Sequence, residues 1–121
     1  MRVYISNYAS YKGDQCVQIS KTAPEWAKIS KQIPELYPAW SLIKSIKDTD
    51  DLDPSDPRRV AAEEHYEEIY RAEVESVISH VIPKLEDGDV LCCWCKRGSF
   101  CHRYIVQKVL EANGIECKEV L

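Results

Sequence analysis

Long apolar runs are missing from this 121-residue chain. The longest, residues 90–95, has six residues, where a membrane-spanning helix needs roughly 20. No membrane association is expected. Glycine and proline are sparse, at 4 and 6 residues, which excludes collagen-like and low-complexity chains. A basic excess is also absent. The formal charge of −4 argues against a protein that coats nucleic acid through bulk electrostatics, so direct nucleic-acid binding is not expected. No secretory leader is visible, because Met1-Arg2-Val3-Tyr4-Ile5 opens directly on a strand-like run. The expectation is a soluble, cytoplasmic protein.

What is present fits an ordinary compact fold. The chain is 45% hydrophobic and 30% charged, and its length suits a single domain over residues 1–121. Six cysteines in a short chain could signal a disulfide framework. Their placement argues otherwise. Cys92, Cys93, Cys95 and Cys101 crowd into ten residues, and Cys16 and Cys117 lie near opposite ends. Without a secretory signal, reduced thiols are the default.

Residues 2–6 and 16–20 are short and rich in β-branched side chains, with the turn signal Gly13-Asp14 between them. So short a connection suggests an antiparallel pair or an irregular loop. Pro24, Pro34 and Pro38 punctuate the next stretch, which reads as one or two short helices. The better one covers 39–46, with Trp40, Ile43 and Ile46 facing inward. Residues 48–57 hold five Asp and two Pro and read as a solvated loop. That loop lacks the central glycine and closing glutamate of a calcium site. A long helix follows from 58 to 82. Tyr66, Ile69, Tyr70, Val74, Val77, Ile78 and Val81 keep helical spacing there, and Pro83 ends it. Residues 90–95 read as a strand covered on both faces. A helix over 101–112 is closed by Asn113-Gly114, and a last strand covers 115–121. The expected fold class is therefore α/β: a small three-layer-type domain, with a mixed, mostly parallel sheet of about four strands and helices on its faces.

The chemistry concentrates between Leu91 and Arg103. This segment joins the carboxyl end of a buried strand to the start of a helix, where open α/β sheets bind ligands and free N–H groups favour anions. Residues 90–110 carry Lys96, Arg97, Arg103 and Lys108 and no acid, so the remainder of the chain carries −8. A basic pocket on an acidic body favours a small anion. Cys101 at the helix start, beside His102 and Arg103, has surroundings that lower a thiol pKa.

Three readings follow. In the first, Lys96, Arg97, Gly98, Ser99 and Arg103 bind a phosphate-bearing, nucleotide-like ligand, with Cys101 as a reactive thiolate and His102 as its proton partner. This is a cysteine-dependent site whose reaction the sequence leaves open. In the second, Cys93, Cys95, Cys101 and His102 form a Cys₃His metal or redox module, suited to zinc or iron although no cofactor is required. In the third, the acidic surface engages a basic partner, as some viral inhibitors of host factors do. Phosphatase chemistry is disfavoured, since Cys101 occupies the position where a Cys-x₅-Arg loop starting at Cys95 needs arginine.

The pattern Leu-Cys-x-Cys-Lys-x-Gly-x-Phe-Cys-His-Arg, with Cys93, Cys95, Lys96, Gly98, Phe100, Cys101, His102 and Arg103, resembles the signature of the domain of unknown function 488 family. Tyr4-Ile5-Ser6-Asn7-Tyr8, Pro24-Glu25-Trp26, Leu36-Tyr37-Pro38 and the Tyr66/Tyr70 spacing also fit it. The resemblance implies a small α/β domain with a cysteine pocket at the strand–helix junction. Many members carry glutamate where Cys95 stands, which favours Cys93, Cys101, His102 and Arg103 as the site.

Overall fold

A computed structural model describes residues 1–95 and 100–120. Five strands form one sheet: β1 (Arg2–Asn7), β2 (Cys16–Gln18), β3 (Ile29–Gln32), β4 (Val90–Cys93) and β5 (Glu116–Glu119). The spatial order is β3-β2-β4-β1-β5, and every pairing is parallel. The α/β class read from the sequence holds, with one more strand than expected and no antiparallel pair among the described residues. β1 and β2 are not neighbours. β4 lies between them, with Tyr4 and Cys16 both level with Val90. Residues 8–15 therefore carry the chain back down the sheet as an irregular loop instead of closing a hairpin.

β4 is central, and all four of its residues are buried, as a run apolar on both alternating sides requires. β3 was not visible in the sequence, where its segment was grouped with short helices. It is an edge strand, Ile-Ser-Lys-Gln, whose sides alternate between half-buried and exposed, and a single apolar residue gives no periodic signal.

Three helices follow from capping and periodicity. α2 (Pro57–Val81) starts with the Asp56 carboxylate accepting from the Arg58 N–H at 2.9 Å, and Pro57 occupies its first turn. Its buried stripe is Tyr66, Tyr70, Val74, Ile78 and Val81, close to the predicted one, although Ile69 is exposed. α3 (His102–Ala112) ends at Asn113, and Gly114 has φ of 81°, a left-handed position that suits glycine. α1 (Trp40–Lys47) buries Leu42, while Trp40 is 57% exposed. The expected inward Trp40 is thus corrected. Eight residues span barely two turns, so hydrophobic spacing could not separate the two faces.

The two sheet faces are covered differently. Val3, Ile5, Val17, Leu91, Cys93 and Cys117 pack with side chains from all three helices. The opposite face, with Cys16, Val90 and Cys92, is covered by Tyr8 and Tyr11 of one loop and Ala23 and Ala27 of another. Among the described residues no helix joins that second cluster. Among the described residues the helices pack on the first of these faces. Tyr8 and Ser20 tie the two covering loops by a 2.6 Å hydrogen bond.

The Tyr70 hydroxyl donates to the Leu36 carbonyl at 2.5 Å in the buried core. Tyr70→Phe keeps the ring and removes this partner. It should cost about 1–2 kcal/mol in urea unfolding, and an unchanged midpoint would show that the bond contributes nothing.

Candidate functional site

β4 ends at Cys93, the chain turns through Trp94 and Cys95, and it re-enters as Cys101 immediately before α3. This return brings three sulfurs together. The Sγ atoms of Cys93, Cys95 and Cys101 all lie within 4.8 Å of one another, and Cys93 and Cys101 are 2.9 Å apart. Because side chains alternate along β4, Cys92 points to the opposite face and takes no part.

His102 opens α3 with its ring buried edge-on against Tyr70, at a centroid distance of 5.6 Å. Its Nε2 is 2.8 Å from the Ile19 carbonyl. A carbonyl only accepts, so Nε2 carries the proton and Nδ1 presents a lone pair. That Nδ1 is 3.7 Å from the Cys101 Sγ. Burial lowers the His102 pKa, which favours the neutral ring.

Arg103 is fully buried. Its Nη1 donates to the Cys93 Sγ at 3.2 Å and to the Cys95 carbonyl at 2.6 Å. Its Nη2 donates to the Tyr104 hydroxyl at 3.1 Å and to the Glu119 carboxylate at 3.3 Å, and Tyr104 itself donates to Glu119 at 2.6 Å. Arg103, expected among the ligand-binding residues, is placed inside the fold against Cys93 and Glu119. The side chain points inward and organises the cysteine cluster.

The charge distribution among the thiols also differs from the sequence reading. Hydrogen bonds from Cys101 and Cys95, reinforced by the positive charge of Arg103, hold Cys93 well below the usual thiol range. Burial, together with the bond it donates to Cys93, pushes Cys101 well above it. The cause is geometric: Cys101 and Cys95 both donate to Cys93, and the helix start alone does not offset the burial of Cys101.

A pocket of about 490 Å³ opens over this cluster, within the range of about 300–1,000 Å³ typical of small-molecule sites. Cys95, Cys101, His102, Tyr66 and Phe100 line it, and Trp40 and Trp94 stand at its walls. Trp94 is 53% exposed yet held in place, its Nε1 donating to the Thr22 carbonyl at 2.8 Å. Trp94, although it belongs to the apolar run 90–95, therefore does not pack in the core. The ring sits beyond the strand's end with one edge against Tyr8. Lys21 and Lys47 add positive charge to the lining and Asp50 adds a negative one. Tyr8 and Tyr11 lie outside it. Lys21, Thr22, Trp40, Lys47 and Tyr66 were not singled out as pocket residues, since they come from three separate segments with no shared motif. Lys96, Arg97, Gly98 and Ser99, the expected anion-binding loop, lie outside the described residues.

Fold and site together define a parallel α/β protein with a thiol cluster at the carboxyl edge of its sheet. The chain belongs to the DUF488 family: the family model described as the Active DUF488-N3 subclade matches residues 4–114. No curated protein and no solved structure matches it. Among the described residues no helix is long and apolar enough to cross a membrane, and the three cysteines could hold a metal ion.

The lowered Cys93 pKa predicts a thiolate ultraviolet absorbance that persists below the ordinary thiol pKa of about 8–9. Because the folded value lies below the unfolded one, the stabilisation from this group is full above the ordinary range. It is lost as pH falls through the depressed folded value. Arg103→Gln should move the absorbance midpoint up, and an unchanged midpoint would remove Arg103 as a cause.

Proposed function

We propose that this chain is a thiol-dependent enzyme domain. Its pocket takes a flat, anionic small molecule, phosphate-bearing and nucleotide-like, and presents it to the Cys101 thiol, with His102 Nδ1 as the proton partner. The observation that carries this reading is the aromatic pocket of about 490 Å³ floored by Cys95, Cys101 and His102. Solvent-exposed tryptophans held at a concave wall suit stacking on a planar ring. Lys21 and Lys47 supply positive charge in the lining. The basic balance of residues 90–110 supports the same preference, with Lys96 and Arg97 contributing sequence charge. The word "Active" in the family description favours catalysis over a silent fold.

Titration with a panel of nucleoside phosphates, followed by tryptophan fluorescence, should give saturable quenching. Trp40→Ala should weaken binding about tenfold, the worth of one stacking contact, and Lys21→Ala should weaken it further for phosphorylated members only. No quenching by any member, or an unchanged affinity in Trp40→Ala, would overturn the reading.

A metal module is the second reading, favoured by the three sulfurs within 4.8 Å. The donor set fits a soft ion: three thiols, with the Nδ1 lone pair of His102 beside Cys101. Cys93, Cys95 and Cys101 would hold zinc or iron, His102 could complete the set, and Arg103 would offset the thiolate charge. Elemental analysis of protein purified under reducing conditions without chelator separates the two readings. About one ion per chain, lost in Cys95→Ser, would establish the metal module. Metal-free protein that still binds a nucleoside phosphate supports the thiol enzyme.

A further inference from the structure

We infer that Cys101 and Cys93 form a working dithiol that reduces a small-molecule disulfide seated in the pocket. The inference rests on the proposed reading of that pocket as the seat of the reacting molecule, and it goes beyond the nucleotide-like ligand by naming a disulfide as a second substrate class.

Three observations combine. The two sulfurs are 2.9 Å apart, so joining them requires little movement. Their places set an order of attack: Cys101, itself only 3% exposed, lines the pocket beside the more open Cys95, and Cys93 lies behind it and does not line the pocket. The Arg103 guanidinium donates to Cys93 at 3.2 Å and holds that sulfur in place behind Cys101. Cys95 is a poor alternative partner for Cys93. The two are separated by one residue at a strand end, where the geometry of a disulfide is hard to reach. Cys93 and Cys101 instead join a strand end to a helix start.

The steps balance. Cys101 passes its proton to His102 Nδ1, and its sulfur attacks one sulfur of R–S–S–R. The S–S bond breaks, and the departing RS⁻ takes the proton from His102 and leaves as RSH. The Cys93 thiolate then attacks the Cys101 sulfur of the mixed disulfide, and a second RS⁻ leaves and is protonated from solvent. The substrate is reduced by two electrons to two thiols, and the protein is oxidised to a Cys93–Cys101 disulfide. A small dithiol reductant would restore the starting state.

The test uses the full chain and dithiobis-nitrobenzoate, a flat, dianionic aromatic disulfide. Wild-type protein should release about two thionitrobenzoate anions per chain in one rapid phase. It should retain no adduct, and peptide mapping should find Cys93 linked to Cys101. Cys93→Ser should release one and keep the adduct on Cys101, Cys101→Ser should lose the rapid phase, and Cys95→Ser should behave as wild type. A persistent adduct on the wild type, a link through Cys95, or loss of the second release in Cys95→Ser would overturn the dithiol. Should Cys93→Ser fail to fold, the wild-type map and the Cys95→Ser result still decide. Neutral hydroxyethyl disulfide separates this inference from the pocket reading. If it forms the same link while Trp40→Ala leaves the aromatic reaction unchanged, the dithiol stands and the pocket reading falls. Nucleotide binding without the link would do the reverse.

Discussion

A guanidinium with no access to solvent must find all its partners inside the protein, and the site depends on how Arg103 does so. Its donors reach the end of β4 through the Cys93 sulfur and the Cys95 carbonyl. They also reach α3 through Tyr104 and β5 through Glu119. One side chain thereby fixes the strand end, the helix start and the neighbouring strand relative to one another. A buried cation is costly unless it is paired and hydrogen-bonded. Glu119 and the electron-rich Cys93 sulfur provide that compensation, and Arg103's charge adds to the hydrogen bonds from Cys101 and Cys95 that make Cys93 the acidic member of the cluster. Structural and chemical roles are therefore not separable at this residue.

The cysteines divide by sheet face. Cys92 and Cys93 are adjacent in sequence, and the pleat sends them to opposite sides of β4. Cys92 lies with Cys16 under the loop-covered face, where the Cys16 contact and burial raise its pKa. Cys93 lies on the helical face beside Arg103 and Cys101. Two neighbouring thiols in one strand thus hold their protons very differently, and only one of them belongs to the site.

Much of this was legible in the chain. The periodic stripe of α2, the stop at Pro83, the doubly buried run at β4 and the Asn113-Gly114 terminus are local patterns, and all are found in the structure. The strand–loop–helix position of the cysteines was equally legible, because it is a matter of order along the chain. The weak points were short elements. β3 has one apolar residue, and α1 has too few turns for its inward face to be assigned. Likewise, the β1–β2 relationship depended on which strand would insert between them, and β4 comes from more than seventy residues later in the chain.

By itself, then, the sequence determined the α/β class, the parallel character of most of the sheet and the segment in which the thiols, His102 and Arg103 would gather. These follow from hydrophobic period, capping and spacing, which act between near neighbours. Tertiary structure alone decided the direction in which Arg103 points, which sulfur it meets, and that Trp40 and Trp94 stand over the thiols as walls. These depend on burial and on partners brought from distant segments: Ile19 for His102, Glu119 for Arg103, Thr22 for Trp94. A thiol's acidity or a cation's orientation is set by the dielectric and the charges around it, and that environment exists only once the sheet has closed around β4.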